Sequence, residues 1–110
     1  MGFWGLSLGA AVGLPLLVTE DRIRAAILGL VGGDRLAAAA RQVRVPVSFL
    51  MQWDDELVPR PAALALFDAL GTPLKTLRVN PGRHAEVPRH EHEDAAAFPG
   101  RHLNQPAPTA

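Results

Sequence analysis

The sequence contains no cysteine. That removes disulfide frameworks, thiolate zinc sites and a cysteine nucleophile together, while leaving the redox compartment open. It also lacks an excess charge of either sign: eleven Lys+Arg balance eleven Asp+Glu, for a formal net charge of zero. A general nucleic-acid binder needs a basic excess to neutralise phosphates, so that class is disfavoured. Charge is missing altogether from Met1 to Thr19, a length that raises a secretory signal or a membrane span. No Lys or Arg precedes the apolar stretch, so the basic start of a signal is absent. Gly2, Gly5, Gly9, Gly13 and Pro15 interrupt it, and it reaches only the minimum length of a span. The expectation is a cytoplasmic protein without a membrane partner. What is present suits one globular domain: 110 residues, 48% hydrophobic and 20% charged, enough chain to bury a core.

Short apolar runs alternate with helix-compatible stretches, with no internal repeat and no linker. Phe3-Trp4 ends a first run that breaks at Gly5, and residues 8–17 read as a helix that Pro15 bends or shortens. Residues 25–31 form a continuous apolar run bounded by charge and by Gly32-Gly33, as a strand covered on both faces would be. Asp34 can cap a short helix over 35–42. A second buried strand is predicted over 45–51, and a helix over 61–70 opens on Pro61 and stops at Gly71. A strand over 74–79 ends in Asn80-Pro81-Gly82 turn chemistry. A last helix over 88–98 is stopped by Pro99-Gly100, and 104–110 reads as a disordered tail. Strands alternating with helices imply a parallel sheet with right-handed crossovers. The predicted fold class is α/β, with about four parallel strands and flanking helices.

Gly5-Leu6-Ser7-Leu8-Gly9 is a G-x-S-x-G pattern. Its chemistry requires a strand that turns sharply into a helix, with the serine strained and its hydroxyl held out at the tip. Glycines on either side remove Cβ atoms that would collide there. The helix dipole favours developing negative charge, and the Leu8 N–H is placed as an oxyanion donor. Past the predicted strand over 45–51 comes Trp53-Asp54-Asp55-Glu56-Leu57-Val58-Pro59; past the one over 74–79 comes Pro81-Gly82-Arg83-His84-Ala85. Ligand sites of parallel sheets collect at such strand ends. Serine, acid and histidine thus follow one another on three strand-end loops, the order of the α/β-hydrolases.

On these residues the chain resembles the C-terminal half of an α/β-hydrolase, nearest to the small, lid-less dienelactone hydrolase-like branch. Gly5 to Gly9 matches the nucleophile elbow, Asp55-Glu56-Leu57-Val58-Pro59 the D-x-x-V-P acid loop, and Gly82-Arg83-His84-Ala85 the histidine loop. The resemblance covers residues 1–103 and singles out Asp55 over Asp54. It implies a Ser7–Asp55–His84 triad that needs no cofactor and no metal, acting on a small acyl substrate. Dienelactone hydrolases proper use cysteine where this chain has Ser7, which points to a general esterase or related acyl hydrolase. In the family several strands and a second oxyanion donor precede the elbow, and none stands before Gly5 here. The expectation is a truncated hydrolase, weakly active or inactive alone, with a bare edge strand open to self-association or to a partner.

Other residues have plainer readings. Trp4 and Trp53 flank the site loops as candidate pocket walls, with core packing the commoner use of tryptophan. Asp54 and Glu56 read as solvated loop charges or a helix-capping group rather than a second acid, and Arg83 as a surface residue. In His90-Glu91-His92-Glu93-Asp94 the two histidines do not share a helix face, so the stretch reads as a solvated helix face rather than a metal site. Two readings outside enzymology stand beside the hydrolase. One is a non-catalytic interaction or oligomerising module on the same half-fold, the other a small protein anchored by residues 1–19. Loss of activity in Ser7→Ala, dimerisation in dilute buffer and partition into detergent discriminate the three.

Overall fold

A computed structural model describes residues 1–103, and at 96, 97 and 99–103 it describes the backbone alone. The expected tail over 104–110 lies outside the described residues. Four strands, β1 (Gly2–Leu6), β2 (Ala25–Gly29), β3 (Val47–Gln52) and β4 (Lys75–Asn80), form one parallel sheet in the order β1-β2-β3-β4. The connections carry α1 (Leu8–Thr19), α2 (Ala37–Arg41) and α3 (Arg60–Ala69), and α4 (Arg89–Leu103) follows β4. Because each crossover feeds the next strand, the right-handed rule sends α1, α2 and α3 to one face of the sheet. The core records this. Ala10, Leu14 and Leu17 of α1, Ala40 of α2, and Ala63 and Leu66 of α3 pack on Ala26, Leu28, Val47, Phe49 and Met51. On the opposite face α4 packs Phe98 against Ala25 and Ile27. β3, sandwiched between β2 and β4, is buried along its whole length.

The α/β architecture with four parallel strands is as expected, and local chemistry moves several boundaries. β2 ends at Gly29, two residues early, because Leu30 adopts a left-handed conformation with φ 53°. Asp34 does not cap a helix. It opens a 3-10 turn over Asp34–Leu36 ahead of α2, and no side-chain cap is made. Pro15 lies inside α1, which continues to Thr19: losing one N–H does not end a helix whose Ala10, Leu14 and Leu17 are already buried. Likewise α4 runs through 99 and 100 rather than stopping there. The run from 1 to 19 is split between a strand and a 12-residue helix, and no described helix is long and apolar enough to cross a membrane.

All four strands point the same way, so their C-terminal ends share one edge of the sheet. There lie Ser7 after β1, Leu30 after β2, Trp53 to Val58 after β3, and Pro81 to Val87 after β4.

Candidate active site

Ser7 is the single residue between β1 and α1, with φ 57° and ψ −121°. This conformation is uncommon for a residue with a Cβ and costs of order 1–3 kcal/mol, which the surroundings must outweigh. The turn is held at both ends. The Ser7 N–H donates to the Gly29 carbonyl at 2.8 Å, and the Ser7 carbonyl accepts from Ala10 and Ala11, each at 3.1 Å. Those are the first bonds of α1, so the N–H groups of Leu8 and Gly9 precede the helical ladder at its positive end. Gly5 is required by contact: a Cβ there would lie 2.7 Å from the backbone of Gly9 and from the Phe3 ring. Gly9 differs from the expectation. It is exposed, and nothing lies within 4 Å of where its Cβ would be, so within this chain no collision demands glycine there.

The loop after β3 builds the acid. The Asp55 Oδ1 accepts from the N–H groups of Leu57 at 2.8 Å and Val58 at 2.9 Å, an Asx-type turn that locks the carboxylate. Its Oδ2 faces the Nδ1 of His84 at 2.7 Å, and the carboxylate side chain is only 3% exposed. Burial pushes the Asp55 carboxyl up, yet the bonds from His84, Leu57 and Val58 together outweigh it and hold the group below its ordinary value. An ionised Asp55 accepts, which sets the tautomer: Nδ1 carries the proton and Nε2 presents its lone pair. That Nε2 lies 3.0 Å from the Ser7 Oγ. Ser7, His84 and Asp55, far apart in sequence, are therefore joined in one continuous hydrogen-bonded line.

The neighbouring Asp54 takes a different partner. Its Oδ2 accepts from the Gly82 N–H at 3.1 Å, while its own N–H donates to the Gly82 carbonyl at 3.0 Å. Glu56 is bound likewise. Its Oε1 accepts from the His84 N–H at 2.9 Å and its Oε2 meets the Arg83 guanidinium at 2.7 Å. Gln52 is 1% exposed and donates through Nε2 to the Arg83 carbonyl at 3.2 Å. Asp54, Glu56 and Arg83 are exposed, as expected of loop charges, and together with the buried Gln52 they also stitch the acid loop to the histidine loop. No spacing rule reveals such bonds, because their other ends are backbone groups.

The tryptophans diverge. Trp4 is half exposed and lines a narrow cleft between the sheet and α4 with Leu6, Ile27, Leu50 and Phe98, its ring tilted against His92 at 5.7 Å. Trp53 carries the Arg60 guanidinium 4.2 Å above its ring, and its carbonyl accepts from the Arg60 Nε. The stretch over 90–94, by contrast, is not wholly solvated. Glu91 is 5% exposed and accepts from Arg78 and Asn80, which fasten α4 to β4. Among the described residues no group of three or more His, Asp or Glu side chains could hold a metal ion.

No family model and no curated protein sequence matches the chain. Solved structures do. A cold-adapted esterase from an Arctic intertidal metagenomic library superposes with a TM-score of 0.90 at 45% identity, over 94% of this chain and 49% of that one. An esterase of Pyrococcus furiosus matches with a TM-score of 0.78 at 14% identity, over 94% of this chain and 54% of that one. A monoacylglycerol lipase of Paleococcus ferrophilus matches with a TM-score of 0.69 at 16% identity, covering 87% and 65%. The two archaeal matches speak for the fold alone. The chain spans about half the length of the esterase structures it matches, and over that span it has the fold of α/β-hydrolase esterases.

Proposed function

We propose that this chain carries the nucleophile, base and acid of a serine-dependent carboxylic ester hydrolase. One observation carries the reading: the Asp55–His84–Ser7 line, at 2.7 and 3.0 Å, ends on a serine strained at a strand-to-helix turn. The 45%-identical esterase supports the same class of substrate.

In the reaction, His84 Nε2 takes the Ser7 proton as Oγ attacks the ester carbonyl carbon. The resulting oxyanion is received by the Leu8 N–H at the start of α1. The Nδ1–H bond to Asp55 holds the imidazole in register and stabilises the imidazolium. The imidazolium then protonates the departing alkoxide, leaving an acyl-serine. Water repeats the sequence and releases the carboxylic acid. The connection from Ser7 to Asp55 is spent on α1, β2, α2 and β3, leaving no room for a lid within it. Access is therefore open, which suits small acyl substrates and agrees with the dienelactone hydrolase-like resemblance.

We further place the chain as the half of such a fold that bears the triad, with the second oxyanion donor supplied by the half it does not span. Losing one such donor typically costs about 10²–10³ in rate, so the 110 residues alone are expected to be slow. A fluorophosphonate probe tests the reading directly, because it reports the activated serine without requiring the true substrate. Labelling mapped to Ser7, abolished in Ser7→Ala and strongly reduced in His84→Ala, is the expected outcome. A folded wild-type chain that never labels at Ser7 would refute it.

A further inference from the structure

Asp55 accounts for the orientation of the His84 ring but not for the position of the backbone that carries it. Pro81 to Val87 is an irregular segment, entered through Gly82 at φ 122°. Apart from the bonds that Arg83 and Glu86 make to each other, its fixed points come from the end of β3 and the loop after it. Three acceptors or donors, two residues apart, grip its main chain: Gln52 holds the Arg83 carbonyl, Asp54 the Gly82 N–H, and Glu56 the His84 N–H. Asp55, lying between the last two, reaches the imidazole instead. Of the three, Glu56 alone bonds the catalytic histidine's own amide. Its second oxygen is anchored by Arg83, so the carboxylate bridges two consecutive residues of the segment. The carboxyl is held below its ordinary value, first by the bond from the His84 N–H and further by Arg83, so it is ionised and acceptor-only at neutral pH.

We propose that Glu56 is a positioning residue: through the His84 amide it sets where the imidazole stands between Asp55 and Ser7. The inference rests on the triad reading for its catalytic consequence, and on geometry alone for its structural one. Without the Glu56 bond the main chain is still held at Gly82 and Arg83, but the His84 amide is released, so the residue could shift about its Asp55 contact and lengthen the 3.0 Å approach to Ser7. A displacement of about 1 Å can cost on the order of 100-fold in rate. The device depends on reach and on an acceptor oxygen. Glutamine keeps both, alanine has neither, and aspartate keeps the charge but is one methylene short.

The test combines the fluorophosphonate labelling rate with the downfield proton resonance of His84 Nδ1–H, which needs no activity. Glu56→Ala is expected to slow labelling ten- to 100-fold and to lose or broaden that resonance, with circular dichroism unchanged. Glu56→Gln should stay within about threefold of wild type on the same displacement scale. Arg83→Ala, which removes the anchor but not the acceptor, should do so too. Glu56→Asp should resemble Glu56→Ala, and serves if the alanine variant fails to fold. The conservative rescue separates positioning from charge, since a purely electrostatic role would be lost in Glu56→Gln. Glu56→Ala labelling at the wild-type rate with its resonance intact would overturn the proposal, as would a wild-type chain without the resonance. If the wild type shows the resonance but never labels, and Glu56→Ala loses it, the nucleophile assignment fails while the positioning stands.

Discussion

Ser7 combines two costs that a substitution can separate. Its hydroxyl is the proposed nucleophile, while its Cβ is what makes φ 57° expensive. Ser7→Ala removes the first and keeps the second, whereas Ser7→Gly removes both. Glycine populates positive φ freely, so Ser7→Gly is expected to be more stable than Ser7→Ala by about 1 kcal/mol, read from urea unfolding. Neither variant should label. Equal stability would mean that the turn is not strained. Asp55 gives a second prediction at the same scale. Its folded pKa lies below the 3.8 of an unperturbed carboxyl, so its stabilising contribution is complete above about pH 3.8 and is lost as pH falls through the folded value. The urea midpoint of the wild type should therefore fall more steeply below pH 3.8 than that of Asp55→Asn, and the two should run parallel at neutral pH. Asp55→Asn should also slow labelling, by on the order of 10⁴ if the tautomer is lost as it is in a serine protease triad. Ser7, Asp55 and His84, which the structure joins by hydrogen bonds, could be singled out in the sequence because each sits in a short pattern with its own turn chemistry. Gln52, Asp54 and Glu56 could not, since their partners are backbone groups some thirty residues away that only the folded β3–β4 pairing brings near.

Among the elements, the elbow joins a glycine that is required to one that is not. Gly5→Ala would drive a methyl group to within 2.7 Å of the Gly9 backbone and the Phe3 ring, at a cost of roughly 1–3 kcal/mol. Gly9→Ala meets open space in the first turn of α1 and should be neutral or stabilising, by up to about 1 kcal/mol, with labelling retained. Thermal unfolding of the two variants distinguishes a turn set by Gly5 from one that needs both. The pattern alone could not tell these glycines apart, because it records spacing and not which Cβ vector points into backbone. Buried strands such as β3 were readable from their continuous apolar runs. α4 was misread at one position for the opposite reason. A run of His, Glu and Asp looks solvated until Arg78 and Asn80 of β4 are seen to receive Glu91. Its end was misplaced as well, since Pro99-Gly100 signals a stop only where nothing else holds the helix to the sheet.

At the scale of the whole molecule, one side of the sheet is open. β1 is an edge strand whose outward backbone groups pair with no other described strand. Beside it, α1 exposes Leu8, Val12 and Leu16, each four residues from the next and so on one stripe, and Trp4 is half exposed on the strand itself. An apolar stripe along an unpaired edge is a surface that calls for cover. We propose that the occupant is the remainder of such a fold, since at a TM-score of 0.90 this chain spans 49% of the Arctic esterase. The same remainder would supply the second oxyanion donor, whether it lies on this polypeptide or on another. A polypeptide spanning that remainder, added to the 110 residues, should therefore do two things at once. It should slow hydrogen exchange at β1, where a parallel strand would take up the free N–H groups. It should also raise the labelling rate at Ser7 by about 10²–10³, the worth of one oxyanion donor. Protection without faster labelling would assign the edge to packing alone. Dimers of the 110-residue chain that exclude the added polypeptide would assign the surface to a second copy, and would move the chain towards an oligomerising role.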